Sequence, residues 1–214
     1  MIEVNKFVVS MMSTNCFIII DKDSKECAVV DPGEITRDLK SKIIELKKEN
    51  YKFKYILLTH GHFDHIAGTQ EMKEITGAKV VICKKEEEFI NNNSLNLSHM
   101  FIQGGLKKIN IDIFVKENDD ILSLGDNKID VIETPGHTIG GCCYIIQDMM
   151  FVGDTVMRDT VGRTDFPTGS YSDIIKSVEK IKRYSKNYKL YCGHGYETTL
   201  NREKASNEYF RISI

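Results

Sequence analysis

The sequence predicts an α/β fold in which two mixed sheets pack face to face with helices on the outer sides. Three observations carry that expectation. The elements read in order as strands, helix, strand, helix, strand, then a long series of strands, helix, strand, helix, which calls for two packed sheets with flanking helices. Ile35, Leu39, Ile43 and Leu46 fall at helical spacing over a charged face. No Pro/Gly/Ser-rich linker, low-complexity run or charge shift interrupts the 214 residues, so residues 1–214 are expected to form a single domain.

Residues 2–9 and 16–20 read as strands separated by the turn-rich MSTN. A third strand, 26–30, stops at Asp31-Pro32-Gly33, which is turn chemistry. The first helix runs to about Asn50, and Tyr55–Leu58 is a short apolar strand leading to His60. Residues 65–76 read as a helix closed by Gly77, 80–83 as a strand, and 85–91 as a short helix. The irregular stretch 92–110 reads as a loop or lid crossing the surface near the site. From 111 to 153 strands follow one another, at 111–115, 120–124, 128–133, 141–147 and 150–152. Residues 171–184 form a helix with Ser170 as N-cap and Asp173 three residues on. A last strand, 189–192, and a helix at about 200–207 complete the chain.

The charge balance, 29 basic against 31 acidic residues, gives no excess that would favour nucleic acid or an anionic membrane. The expected partner is a small-molecule substrate. Cys16, Cys27, Cys83, Cys142, Cys143 and Cys192 form no C-x-x-C pair and lie mostly in apolar strand-like runs, which reads as buried free thiols in a reducing compartment. The N-terminus lacks a signal-peptide pattern and no run approaches the length of a spanning helix, so the expected location is the cytoplasm.

The chemistry concentrates in HGHFDH, residues 60–65, which holds three of the six histidines and one aspartate. Imidazole is the commonest protein metal ligand, and a neighbouring carboxylate suits a divalent cation. In an extended stretch His60 and His62 point to one side. Asp64 and His65 fall where the chain turns into a helix, aimed elsewhere, so one loop can serve two adjacent metal positions. Three further strand-end loops present ligand-type residues directly after a glycine: Gly136-His137, Gly153-Asp154 and Gly193-His194. Taken singly each is ordinary turn chemistry; together with HGHFDH they gain weight. His99 fits no such pattern and reads as a solvated loop residue.

This order of motifs resembles the metallo-β-lactamase superfamily, whose H-x-H-x-D-H signature matches His60, His62, Asp64 and His65, and whose later His, Asp and His match His137, Asp154 and His194. Asn15-Cys16-Phe17 and Asp31-Pro32-Gly33 look like that family's opening strands. The resemblance implies a four-layer αβ/βα sandwich with the metals at one edge. It also implies that His60, His62 and His137 hold one ion, that Asp64, His65 and His194 hold a second, and that Asp154 bridges them. Asp64 and Asp154 are then the candidate catalytic residues. The cofactor expected is a pair of divalent ions, zinc first, with iron or manganese also compatible with mixed N/O ligands. Two ions about 3.5–4 Å apart can share a hydroxide and clamp a developing oxyanion.

The stretch GDTVMRDTVGRTDFPTGSYSDIIKSV and the later GHGYETTLNREKASN resemble glyoxalase II-like hydrolases. There a basic residue after a glycine helps hold the glutathione part of the substrate, and Arg163 occupies the comparable place, with Phe166 beside it. Arg163 also has a potential salt-bridge partner in Asp165. Glyoxalase II proper carries a helical C-terminal extension with glutathione contacts, whereas this sequence stops soon after residue 207, which leaves the thiol unspecified. The resemblance implies a metal-dependent hydrolase of a thioester of the hydroxyacyl-glutathione type, in which a metal-bridging hydroxide attacks the carbonyl. Two alternatives share the ligand signature: a mononuclear iron persulfide dioxygenase, whose family carries a GRTDF-like stretch (here residues 162–166), and a lactonase.

Overall fold

The computed structural model describes residues 1–212. The chain opens with an antiparallel meander, β1 (Ile2–Val9), β2 (Thr14–Asp21) and β3 (Glu26–Val30), and then enters helix α1 (Arg37–Lys48). Thr36 caps α1, its side chain accepting the Leu39 N–H, and Leu39, Ile43 and Leu46 form the buried stripe that the spacing predicts, whereas Ile35, the first residue of the predicted stripe, precedes the helix and is half-buried. Strand β4 (Lys52–Leu58) leads into the short helix α2 (Phe63–Ile66), then α3 (Thr69–Thr76) and β5 (Lys79–Cys83). Gly77 ends α3 in the left-handed conformation, as expected of a glycine C-cap. The expected single helix over 65–76 is instead two helices, with Gly68 as the N-cap residue of the second. A side chain at Gly68 would bring its Cβ to 2.5 Å from the Pro32 carbonyl oxygen, so the chain passes this point against the turn after β3.

A 3-10 turn precedes α4 (Glu87–Ile90), and α5 (Ser98–Phe101) follows inside the stretch expected to be loop. His99 lies in α5 rather than in a loop, and is solvent-exposed as expected. Strand β6 (Ile113–Val115) is shorter than the predicted 111–115, and only β7 (Ser123–Leu124) remains of the predicted 120–124. β7 pairs with β8 (Asn127–Lys128) as a separate hairpin, so the predicted strand 128–133 is split, its main part being β9 (Asp130–Glu133). Then come β10 (Cys142–Ile146), β11 (Met149–Gly153), the small hairpin β12 (Val156–Met157) and β13 (Thr160–Val161), and α6 (Tyr171–Lys182). The Ser170 hydroxyl caps α6 by accepting the Asp173 N–H. β14 (Lys189–Cys192), β15 (Thr198–Thr199) and α7 (Leu200–Ser206) follow. The hairpin β12–β13 and strand β15, each strand two residues long, are below what apolar periodicity can signal.

The strands form a six-stranded sheet, ordered β1-β2-β3-β4-β5-β6, and a five-stranded sheet, ordered β15-β14-β11-β10-β9. Alternation along the strands divides the apolar residues into layers. Phe17, Ile19, Val30 and Leu57 of the first sheet meet Val131, Tyr144, Phe151 and Tyr191 of the second between the sheets. The alternate residues Ile18, Ile20, Val29 and Ile56 pack outward with Leu39 and Ile43 of α1 and Met72 of α3. On the far side, Ile132, Ile145 and Val152 pack with Val178 and Ile181 of α6 and Leu200 of α7. The result is the expected four-layer sandwich. It also explains the unbroken apolar run of β2, every residue of which is buried, because the strand is covered on both faces. All six cysteines are buried free thiols, as expected.

Candidate metal centre

Strand ends gather the ligand-type residues. β11 runs parallel to β14, and β9 and β11 both run antiparallel to β10, so β9, β11 and β14 finish at the same edge of their sheet. His137, Asp154 and His194 follow those ends, and His60 follows the end of β4. Because α2 starts at Phe63, His62 is its N-cap residue while Asp64 and His65 lie within its single turn. The change from extended to helical backbone aims the two halves of HGHFDH at different points, as expected.

Those points are two donor clusters. The ligand atoms of His60, His62 and His137 lie within 4.8 Å of one another, as do those of Asp64, His65 and His194. Asp154 sits between them. Its Oδ2 is 3.4 Å from His137 Nε2 and 3.5 Å from His194 Nε2, and its Oδ1 is 3.5 Å from His65 Nε2. All seven residues expected from the sequence therefore converge. The site passes a simple test of fit for cations: His60 Nε2 and Asp154 Oδ1 are buried without any hydrogen-bond partner, and His62 presents Nδ1 to the cluster, 2.9 Å from His137 Nε2. A buried orphan costs roughly 1–3 kcal/mol, so two in one cradle are the mark of donors waiting on electrophiles.

The electrostatics of the two clusters differ. Burial, reinforced by the neighbouring histidines, holds His60 and His62 well below the usual imidazole range, so they are neutral donors. Burial also opposes charge on His65, but Asp64, Asp154 and Asp31 outweigh it and push His65 up to about 10. His194 is raised too, against burial, by Asp64 and Asp154. Asp64 is held well below the usual carboxylate range; burial opposes this, and His65, His194 and Thr14 prevail.

Several residues that orient the donors escaped the sequence reading. Asp31, taken as part of a turn, is buried at φ 48°, a left-handed conformation that Asp tolerates. Its Oδ1 accepts the Thr59 N–H at 2.8 Å, and its Oδ2 accepts the Thr59 hydroxyl at 2.6 Å and lies 3.0 Å from His65 Nδ1. A proton on Nδ1 leaves His65 Nε2 facing the cluster. Thr14 donates its hydroxyl to Asp64 Oδ2 at 2.7 Å. Asn15 secures the His194 loop, its side chain donating to the Cys192 and Gly195 carbonyls at 2.9 and 3.1 Å. Fully buried Glu86 accepts the N–H groups of Gly61 at 2.8 Å and Gly140 at 2.7 Å, tying the HGHFDH loop to the His137 loop. Only Asn15 and Asp31 carried any signal, as part of the resemblance in the opening strands; Thr14, Thr59 and Glu86 had none.

One glycine shows why the backbone must come close. A Cβ on Gly193 would lie 2.1 Å from Asp154 Oδ1 and 2.8 Å from His65 Cε1, so only glycine fits before His194. Cys192, one residue earlier, is pushed up to about 12 by burial and stays a protonated thiol.

A cavity of about 440 Å³ opens above the cluster, lined in part by His62, Asp64, His137, Asp154 and His194. Arg163 and Phe166 both line it. Arg163 is also paired: Nε and Nη2 each donate to Asp165 at 2.6 Å, while the guanidinium lies 3.9 Å from the centre of the Phe166 ring. The Arg163 backbone carbonyl has a separate task, lying 2.7 Å from His137 Nδ1 and orienting that ring. Part of the irregular stretch 92–110 reaches the cavity through Leu97 and Phe101, which agrees with its expected place near the site. No helix among the described residues is long and apolar enough to cross a membrane.

Comparison with known proteins agrees with this geometry. Residues 10–194 match the family model of the metallo-beta-lactamase superfamily. The chain is 30% identical over 204 residues to the hydroxyacylglutathione hydrolase GloC of Haemophilus influenzae, covering 94% of each chain. Among solved structures it superimposes on the BLEG-1 B3 metallo-beta-lactamase with a TM-score of 0.87 at 28% identity, covering 98% of this chain and 100% of that one. It also shares its fold with ETHE1 from Myxococcus xanthus, with a TM-score of 0.75 at 24% identity over 96% of this chain and 83% of that one.

Proposed function

The chain belongs to the metallo-β-lactamase superfamily, and from that premise we propose that it is a metal-dependent hydrolase of hydroxyacyl thioesters, acting as one domain on a small-molecule substrate. The observation that carries the proposal is the convergence of two donor triads on Asp154 beneath an open cavity. The 30% identity to a hydroxyacylglutathione hydrolase over nearly the whole chain supports the thioester class.

His60, His62 and His137 would hold one divalent ion, and Asp64, His65 and His194 a second, with Asp154 contributing to both. Zinc is the first candidate, and iron or manganese suits the same five imidazoles and two carboxylates. Ions so held supply Lewis acidity, which makes water a nucleophile near neutral pH and stabilises negative charge on a carbonyl oxygen.

The chain's own residues complete the chemistry. Asp64 and Asp154 line the cavity floor, where both carboxylates can accept a hydrogen bond from an approaching water and orient it. Asp31 and the Arg163 carbonyl fix the orientation of His65 and His137, which keeps the donor set preorganised. Phe63 and Phe101, stacked with ring centres 4.7 Å apart, form an apolar part of the cavity wall. A thiolate leaves without prior protonation, so a site whose acid–base groups are the donors themselves suits a thioester.

The test is a metal analysis of protein purified without added metal, paired with a panel of acyl thioesters that includes S-lactoylglutathione. Turnover that disappears on chelation and in Asp154→Asn is the expected result. No hydrolysis of any thioester by metal-loaded protein refutes the proposal.

A further inference from the structure

The cavity over the centre is more apolar than recognition of a charged tripeptide thiol requires. Met12 comes from the turn between β1 and β2, Met157 and Val161 from the β12–β13 hairpin, Phe63 from α2, Leu97 from the residue just before α5, and Phe101 from α5 itself. Met12 and Phe101 are among the exposed large apolar residues of the chain, and both stand at this cavity. Apart from the donor histidines, Arg163 is the one cationic side chain in its lining among the described residues. Asp165 engages the guanidinium through both oxygens and Phe166 covers its face. The pair is exposed, and a ligand carboxylate must displace Asp165 to reach the guanidinium. Two further cations near the His194 loop lie outside the lining: Lys6 donates to the Gly195 carbonyl, and Arg158 lies over the Tyr196 ring.

The apolar wall is also built rather than incidental. Leu97 is buried at φ 65° and ψ 5°, a left-handed conformation that a leucine rarely adopts. Asn96 holds it there: its side chain donates to the Phe89 carbonyl at 3.1 Å and accepts the Ser98 N–H at 3.0 Å. The Asn96 carbonyl accepts the Phe63 N–H at 2.8 Å, which ties this wall to the helix carrying Asp64 and His65. Strain kept at such a place is a sign of a shaped contact surface. At about 440 Å³ the cavity has room for a ligand of ordinary metabolite size.

We propose that this cavity selects thioesters whose thiol portion is apolar and uncharged, and discriminates against glutathione, whose two carboxylates and ammonium find no free counter-charge in it. The inference rests on the thioester reading of the site and specifies the substrate class within it.

The experiment compares one acyl group, lactoyl, carried on benzyl mercaptan and on glutathione, with rates normalised to hydroxide-catalysed hydrolysis of each ester. The benzyl ester is expected to show a kcat/KM higher by about tenfold or more. Leu97→Asn keeps a residue that tolerates the left-handed backbone but removes apolar wall, and is expected to lower that ratio. Asp165→Asn releases Arg163 and is expected to improve the glutathione ester through KM, with kcat little changed. Binding is read separately by titrating metal-loaded protein with two non-hydrolysable thioethers, S-methylglutathione and benzyl methyl sulfide. Equal or better kcat/KM for the glutathione ester, or a ratio unmoved by both variants, overturns the inference and leaves thioester hydrolysis standing. If no thioester turns over, the thioester reading falls, and the two thioether affinities decide the cavity's preference on their own: tighter binding of the benzyl compound supports it, and equal or weaker binding overturns it.

Discussion

Replacing Glu86 by alanine should weaken both the fold and metal binding, although Glu86 is itself no donor to the centre. Its carboxylate is buried and accepts two backbone N–H groups, from Gly61 between His60 and His62 and from Gly140 just beyond His137. Truncation leaves both N–H groups without an acceptor, at roughly 1–3 kcal/mol each. Removing a buried carboxylate offsets part of that loss, because burial, acting against the Gly140 and Gly61 donors, raises the Glu86 pKa above its ordinary value of 4.5. A net loss of about 3 kcal/mol lowers Tm by about 6–12 °C in a chain of this size. The two ligand loops also lose their common anchor, so metal affinity should fall about 10–100-fold, as for other partners behind a donor shell. Thermal unfolding of the metal-free protein and competition with a chromophoric chelator read the two effects separately. Glu86→Gln keeps one good acceptor and should fall between. The sign of the pH effect follows from the raised pKa: this group's titration contributes stability that is complete below the unfolded value of 4.5 and is lost as pH rises through the higher folded value. The stability gap between wild type and Glu86→Gln should therefore narrow as pH rises over that window. A Glu86→Ala protein with wild-type Tm and wild-type metal affinity would refute the reasoning.

Other perturbations test the centre itself. In the metal-free protein His65 titrates at about 10, so its contribution to stability is complete below the ordinary value of 6.5 and is lost as pH rises through about 10. Loading the Asp64–His65–His194 cluster at neutral pH must then expel a proton, which calorimetry in two buffers of different ionisation enthalpy measures; zero protons released contradicts it. Asp31→Asn removes the charge that holds His65 Nδ1 at 3.0 Å, and should cost about 10–100-fold in metal affinity by chelator competition while the protein stays folded. Gly193→Ala places a Cβ 2.1 Å from Asp154 Oδ1 and 2.8 Å from His65 Cε1, and the displaced side chains should lower kcat by about 10²-fold with a normal circular dichroism spectrum.

Much of the architecture was legible because it is written at short range. The spacing of Leu39, Ile43 and Leu46 marked the buried stripe of α1, Gly77 marked the end of α3, and Ser170 marked the start of α6. The order of strands and helices pointed to four layers, and the strand-end glycines pointed to the loops of His137, Asp154 and His194. Short range also set the errors. The break at Gly68 comes from the close approach of Pro32, a neighbour distant in sequence, and nothing in the apolar pattern of 65–76 records it. The predicted strand 120–124 kept only the two residues that pair with β8, because a strand exists only where a partner completes its hydrogen bonds.

By itself, then, the sequence determined which residues are the candidate donors: HGHFDH concentrates ligand chemistry in six residues, and each remaining candidate follows a turn that presents it. Only the tertiary structure decided how those candidates are held. The bonds that orient them join residues far apart in the chain: Asp31 to His65, Thr14 to Asp64, and Glu86 to both Gly61 and Gly140. The same holds for the cavity, where Met12, Leu97 and Met157 meet from three segments. The physical reason is that a ligand's identity is a property of its own side chain, whereas its orientation, protonation and surroundings depend on groups that only folding brings within a few ångströms.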